Sequence, residues 1–600
     1  MNITRSPFCL LMLPALSILN GCDQSRNPVE SDTATFTADV VVRSEKKQSF
    51  AGILPRFEWK GTECGLTFSR FDDISRKRRI TETNGGGVAL IDADADGFVD
   101  VFFPDGCRVP PGPQEPATRS RLLRTLRSMA FADRTDSAIP LPQGFYTGCA
   151  VGDCDGDGFD DLYVTALGDN RFLRNNGDGT FSNQSTAFDD SVSEWSTSCA
   201  FADLNGDGRL DLYVANYLAV DRNDPKVCEN IANPDGYEGC SPAEFDGVAD
   251  VLFLNTGDGR FTNESSAVGI DRYQQKGLGV AISDFDSDGR PEIVVANDGE
   301  ANNDFVPSAV SAPLRYSDQA LERGTALSEK GFAQASMGIA TGDYDNNGTT
   351  DIFLTHFLND TNTLYSNRGA GLFEDSTRSS GLGAPSRQTL GFGTVFLDAN
   401  HDGHLDLFVA NGHVDDRRWM SPPQPYAMPA QMFVGIGDRA FADVSKEIAD
   451  QPEGEYFRRN WLGRGVASGD LDRDGRLDLA ISHQLENAAV LHNITPVREN
   501  AIVLKAVGIQ SNRTGIGVRL RQSQSKARLE LCGGQSFQSA SCLEFHVVVN
   551  SDGSDLVIEW PSGQTDNHEG VGPGQWIAVE GRRLFRRPDF SSGSDLSSGR

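Results

Sequence analysis

Positive charge is in short supply. In 600 residues, 54 lysines and arginines face 85 aspartates and glutamates, a formal net charge of −31. Phosphate backbones are held by basic surfaces, so nucleic acid is excluded as a partner class. Histidine is scarce as well, with 8 in the chain. No HExxH pair, nucleophile elbow or phosphate loop occurs, which removes the common signatures of zinc proteases, α/β-hydrolases and P-loop enzymes. Past the first twenty or so residues, no run is apolar enough to cross a bilayer as a helix. What the chain does have is glycine, 63 residues, and 38% apolar residues. That is the composition of a globular protein, and one too long for a single ordinary core unless it is a closed repeat array.

The first residues read "MNITRSPFCLLMLPALSILNGCDQS". Arg5 precedes an apolar run from Phe8 to Leu19, too short for a mature spanning helix. "LNGC" at Leu19 to Cys22 resembles a bacterial lipobox. It predicts a signal peptide over 1–21, lipid on Cys22, a polar tether over 22–50 and a bacterial cell-envelope location with the membrane reached only through the anchor. The alternative is an ordinary secretory signal with a chance cysteine. Either way the protein is exported and disulfides are allowed. Nine cysteines then remain (64, 107, 149, 154, 199, 228, 240, 532 and 542), an odd number. The candidate pairs are Cys228 with Cys240 in one loop, Cys532 with Cys542 in one short β segment, and Cys149 with Cys199 at the same position of successive repeats.

An acidic phrase recurs seven times: "DADADGFVD", "DCDGDGFDD", "DLNGDGRLD", "DFDSDGRPE", "DYDNNGTTD", "DANHDGHLD" and "DLDRDGRLD". Oxygen ligands fall at positions 1, 3, 5 and 9. They are Asp92, Asp94, Asp96 and Asp100; Asp153, Asp155, Asp157 and Asp161; Asp203, Asn205, Asp207 and Asp211; Asp284, Asp286, Asp288 and Glu292; Asp343, Asp345, Asn347 and Asp351; Asp398, Asn400, Asp402 and Asp406; Asp470, Asp472, Asp474 and Asp478. Position 6 is glycine every time. The first six positions follow EF-hand spacing, but position 12 is apolar in every copy and belongs to the next segment, so the last ligand must be position 9. Hard oxygen ligands in this number suit calcium, up to seven ions, better than magnesium. A metal-free Asx-rich turn explains one copy but not seven.

Short β-branched and aromatic runs flank each loop, and a second glycine-rich turn follows in most copies, as in "RNNGDGTF" and "LNTGDGRF". Each repeat therefore reads as four antiparallel strands. Repeats of this period predict an all-β, seven-bladed β-propeller over 51–497. The seventh repeat lacks its outer strand and the N-terminus carries a spare, "FEWKGTECGL" at Phe57 to Leu66. The spare strand is expected to pair near Ala489 to Asn493 and close the ring.

These repeats resemble FG-GAP/VCBS repeats, the blades also seen in integrin α-subunits. "SNRTGIGVRLRQ", "CGGQSFQSASCLEFH" and "LVIEWPSGQ" are similar to the ASPIC/UnbV domain, which follows such a propeller in cartilage acidic protein and bacterial relatives. The chain departs from the pattern in three asparagine ligands, in Cys154 inside a loop, and in degenerate outer hairpins of the first and fourth blades. The resemblance implies a calcium-binding extracellular or envelope module for interaction or adhesion, without a transferable reaction.

The region 498–581 reads as a small β-sandwich-like domain that packs on the propeller or presents a partner surface, and 582–600 as a disordered tail. Asn216, Asn297, Asp298, His356, Asn411, His413 and His483 lie at or past the ends of second strands, opposite the acidic loops. They form the candidate ligand face at the channel mouth. The function expected is a non-catalytic binding or adhesion scaffold for a protein or glycan partner. The alternative is an envelope enzyme, or a protein processing a small molecule or glycan, with its site at that mouth.

Overall fold

β-Branched and aromatic runs make strands because such side chains pack well on a pleated, half-buried surface. Here every run on either side of an acidic loop is a strand. The computed structural model describes residues 50–587, except 111, 113–118, 189–193, 310–312, 498–499 and 550–551. Cys22, the signal, the tether before residue 50 and the tail from 588 lie outside the described residues.

Seven antiparallel units follow one another, six of four strands and the fourth with an added short strand, Gln334–Ala335. Their innermost strands are Ala89–Ile91, Tyr146–Gly152, Ser196–Ala202, Gly277–Ser283, Ile339–Gly342, Gly391–Leu397 and Gly463–Gly469. Each contacts the next in order, and the seventh contacts the first, so the sheets form a ring. Position 9 of each loop opens the second strand and faces the last residue of the first, as in Ile91 with Asp100, Ser283 with Glu292 and Gly469 with Asp478. Apolar side chains fill the wedges between neighbouring blades all the way round. The protein is an all-β, seven-bladed propeller.

The ring closes through the N-terminal strand. Phe57–Lys60 pairs antiparallel with the third strand of blade seven, Phe57 opposite Asn493 and Lys60 opposite Val490. Only four residues form this strand; Thr62–Cys64 is a 3₁₀ turn. Leu66 and Phe68 then enter the wedge between blades seven and one, where Phe68 stacks on Phe103 at 4.8 Å. The outer hairpins of blades one and four, degenerate in sequence, still form: Arg121–Leu126 with Ala130–Asp133, and Asn303–Pro307 with Tyr316–Asp318.

After blade seven come two more four-stranded sheets. One holds Phe545–Val548, Ala501–Val507, Gly574–Val579 and Phe585–Arg586, with its central pair parallel. The other holds Leu529–Glu530, Arg519–Gln522, Ser554–Glu559 and Thr565–Val571. They share one core, which includes Ile502, Leu520, Ile558 and Trp560, so this is a sandwich. It extends to Phe585–Arg586, past residue 581 where the sequence reading ended it.

The segment Cys532–Cys542 leaves the sandwich and fills the propeller channel. Ile339 N–H donates to Ser536 O and Ser536 N–H to Ile339 O; Leu90 N–H donates to Ala540 O; Cys149 N–H donates to Gln538 O. Gln538 N–H donates to Ser198 Oγ, Thr394 N–H to Ser536 Oγ, and Cys542 N–H to Ser468 O. Six blades thus bond to one plug, and its tip, Phe537, is fully buried against Phe392.

Two of the three expected disulfides are corrected by this arrangement. Cys228 and Cys240 are bonded, with Cα atoms 5.3 Å apart. Cys532 and Cys542 are not. They are the two ends of the plug, not neighbours in a β segment. Cys532 Sγ accepts from Thr341 of blade five, whereas Cys542 packs in the wedge between blades seven and one. Cys149 and Cys199 are not bonded either. Equivalent positions face the same rotational direction, so Cys149 lies between blades one and two and Cys199 between blades two and three, on opposite sides of one sheet.

Candidate functional site

In each acidic loop the position-1 carboxylate accepts the N–H of the position-6 glycine, from 2.8 Å in Gly158 to Asp153 to 3.1 Å in Gly97 to Asp92. Gly97, Gly158 and their equivalents have positive φ, near +75° to +100°, a region open to glycine, which is why this position is constant. The position-9 carboxylate is braced twice. Asp161 accepts Cys154 N–H at 3.1 Å and Asn175 N–H, from the third strand, at 2.9 Å. Asp478 does the same with Leu471 and Asn493. Each oxygen keeps a further lone pair. The carboxylates converge: oxygens of Asp92, Asp94 and Asp96, of Asp153, Asp155 and Asp161, of Asp284, Asp286 and Glu292, and of Asp343, Asp345 and Asp351 lie within 4.8 Å of one another in each set.

Such clusters are costly when bare. Burial, reinforced by the neighbouring carboxylates, pushes Asp100, Asp161 and Asp211 up to about 8 and Glu292 to about 9. Asp351, Asp406 and Asp478 move well above the carboxylate range for the same reason. Glu292 Oε1 is buried without a hydrogen bond and faces the Arg323 guanidinium at 3.5 Å. A divalent cation at the centre of each set would satisfy these groups, and the all-oxygen donor set fits calcium. Basic side chains already touch the outer oxygens. Arg124 reaches Asp94 and Asp96 at 2.7 and 2.6 Å, Arg174 reaches Asp157 at 3.0 Å, and His492 reaches Asp472 at 3.0 Å. These three occupy the same third-strand position in blades one, two and seven, a signal the sequence reading passed over.

It also passed over an asparagine at the end of four third strands. Asn175, Asn255, Asn367 and Asn493 each donate from Nδ2 to the position-2 carbonyl of the preceding blade's loop: Ala93, Cys154, Phe285 and Ala399, at 2.8–3.1 Å. The loops are therefore bolted blade to blade. Cys154 contributes its carbonyl to this bolt; its side chain is buried and its thiol donates to Gly152 O.

The sandwich covers this face. Arg519 pairs with Asp284 at 2.9 Å, Arg528 N–H donates to Asp343 at 3.0 Å, and Asp153 N–H donates to Thr514 Oγ1 at 2.7 Å. Glu530 accepts from Ser283 and Thr350.

On the opposite face, at the channel mouth, lies a cavity of about 560 Å³. Its floor is Ile80, Leu278, Met337 and Phe392, which also pack around Phe537 of the plug. Its polar rim holds Tyr217, Lys276, Asp298, Glu300, Asp415 and Arg417. Of the seven residues expected on this face, Asp298 lines the cavity. The others are buried in loop-supporting bonds and do not line it. Asn216 donates to Ala249 O, Asn297 to Ala301 O and Asn411 to Pro429 O. His356 bonds Thr363, His413 Nδ1 accepts Asp415 N–H, and His483 bonds Tyr456 Oη at 2.9 Å. Burial pushes His356 down to about 3 and both His413 and His483 down to about 4, so all three are neutral. Tyr217 and Lys276 escape sequence reading because only the fold brings blades three and four to the same mouth.

Comparison with known proteins agrees with this anatomy. Residues 122–214 and 343–409 match the FG-GAP-like repeat, and 508–582 match ASPIC and UnbV. Human cartilage acidic protein 1 is 29% identical over 170 residues, 27% of this chain and 24% of that protein. The mouse protein is 27% identical over 168 residues, 27% of this chain and 25% of that one. The chain thus spans about a quarter of the length of these relatives. Among solved structures, an Agrocybe aegerita lectin that recognises non-reducing terminal N-acetylglucosamine aligns over 68% of this chain and 94% of its own, with 14% identity and a TM-score of 0.37. The C-terminal WD40 domain of Sif2 aligns over 68% and 95%, with 9% identity and a TM-score of 0.33. The chain thus carries FG-GAP-like repeats followed by an ASPIC/UnbV domain.

Proposed function

We propose that this protein is an exported, calcium-stapled binding scaffold that meets its partner through the cavity face of the propeller. One observation carries the choice of face: the sandwich lies over the acidic loops and its plug fills the channel, while the opposite mouth holds the open cavity. The cysteine pair Cys228–Cys240 fits an oxidising compartment. Among the described residues no helix is long and apolar enough to cross a membrane.

Calcium acts in this reading as a clip on each loop, replacing carboxylate repulsion by shared coordination. Affinities of roughly 10⁻⁴ to 10⁻³ M per site are expected for exported modules. At about ten times Kd, each occupied site contributes about 1.4 kcal/mol. Chelation should therefore lower the melting temperature markedly, and calcium should restore it where magnesium at equal concentration does not. A melting curve indifferent to chelator, with no metal retained after dialysis, would rule out the clip. The face is tested by capture of partners from the native envelope with the anchor-free protein. Ala335→Trp, which fills the cavity mouth, should abolish capture without changing the melt, and unchanged capture would remove the assignment.

The lipid anchor is part of the same proposal and rests on "LNGC". Cys22→Ser should yield an uncleaved or soluble product. Identical processing and identical membrane fractionation of this variant would dismiss the lipobox.

A further inference from the structure

We infer that the channel-mouth cavity binds a small organic ammonium ion, with Asp298 as its counter-charge. This rests on the reading of that face as the binding face.

The charges around the mouth are nearly all committed. Lys276, 8% exposed, pairs with Glu300 at 2.9 Å. Asp415 is held by Arg78, which also reaches Asp235 at 3.1 Å, and lies 3.9 Å from Arg417. Arg464, fully buried behind Phe392, is satisfied by the carbonyls of Thr83, Gly412, Gly463 and His413 and by Gln484. Asp298 differs. Among the described residues it makes no ion pair; its side chain accepts one neutral donor, Tyr217 O–H, at 2.6 Å. Its backbone is fixed on both sides, Asp298 N–H donating to Lys276 O while the residue pairs with Ala335 across the short fifth strand of blade four. The carboxylate is thus preset and anchored at one oxygen, with Lys276 nearby but paired to Glu300.

The walls around it are apolar and aromatic: Leu278, Met337, Phe357 and Phe392. An ion-pair-less carboxylate in such surroundings is costly to keep charged, and an entering cation with an apolar body relieves that cost while burying its own hydrocarbon. Aromatic faces add attraction for an ammonium group. An anion would meet Arg417 alone, and that side chain shares Asp415 with Arg78. A neutral ligand leaves the carboxylate as it was. Asn84, 5% exposed, also lines the cavity and stands beside the Tyr217 hydroxyl that anchors Asp298. The net charge of −31 favours encounter with cations. The volume, about 560 Å³, is that of a small-molecule site.

The test uses the full chain without its lipid, calcium-loaded, with ¹³C-methyl methionine. Met337 forms the floor, and Met337→Leu assigns its signal. The probes share one shape: benzylammonium, benzyl alcohol and benzoate. Benzylammonium should shift the Met337 methyl and bind at least about ten-fold more tightly than the alcohol, with benzoate weakest. Asp298→Asn, which can still accept from Tyr217, should bring the amine to the level of the alcohol at an unchanged melting temperature. Equal or tighter binding of the alcohol or benzoate at Met337, or an unaltered amine preference in Asp298→Asn, overturns the ligand class and leaves the face standing as a binding face. Silence of Met337 toward all three probes overturns the ligand class and counts against the face as well.

Discussion

A chain that starts at residue 62 is expected to fail as a propeller, while one that starts at residue 50 unfolds like the full-length protein. The difference is the strand Phe57–Lys60. Without it, blade seven ends at Ala489–Asn493 with an open edge beside blade one. Unpaired edges invite association with other chains. The lost side chains matter as much as the lost pairing. Phe57 is buried among Val395, Phe408, Ile481 and Leu491, and truncating such a phenylalanine costs about 3–5 kcal/mol. Trp59 lies edge-on to Trp461 at 5.3 Å, and Arg459 sits over both rings, at 4.9 and 4.6 Å. Limited proteolysis and melting curves read the outcome: the shorter chain should be cut within blades seven and one at temperatures where the longer chain is resistant. Equal resistance would mean that the ring does not depend on its N-terminal strand.

The second large effect is expected from the plug. Phe537→Ala should destabilise the protein by about 3–5 kcal/mol, since the ring is fully buried at the meeting point of several blades. Gly533→Ala should be worse. A Cβ there would stand 1.6 Å from the carbonyl oxygen of Phe201, so plug or blade must move bodily. Because the plug bonds to inner strands of six blades, its loss should loosen the whole channel and release the sandwich from the acidic loops. Hydrogen exchange at Leu90, Cys149 and Ile339, whose amides donate into the plug, reports this directly. Unchanged protection at these amides in Gly533→Ala would refute a locking role.

The plug also joins the two faces of the molecule. Its root, at Leu529–Glu530, lies against Ser283 and Thr350 beside two acidic loops, and its tip supports the cavity floor. A cavity that keeps its shape therefore depends on a docked C-terminal domain, which gives the order of the two modules in the chain a structural purpose.

Much was legible in the sequence by itself. The seven acidic loops, the four strands around each and the N-terminal strand that completes blade seven all follow from local rules. A turn needs glycine at positive φ, and a strand needs β-branched or aromatic residues. Because each rule acts within a few residues and recurs seven times, the copies corroborate one another. Cys228 and Cys240 belong here too, since a short loop brings them together. Tertiary structure alone decided the rest. Cys149 and Cys199 look paired in a list of repeats but face the same rotational direction on successive blades. Cys532 and Cys542 look like a hairpin staple, yet the segment between them is spread across a channel whose walls come from every part of the chain: Ser539 accepts from Val88, 451 residues away. Of the polar residues at the ends of second strands, Asp298 opens into the cavity while six others are consumed in holding loops. A side chain's position along a strand is a local property and can be read from sequence; what stands opposite it is set by the closing of the ring and the docking of the last domain, and no local pattern encodes that.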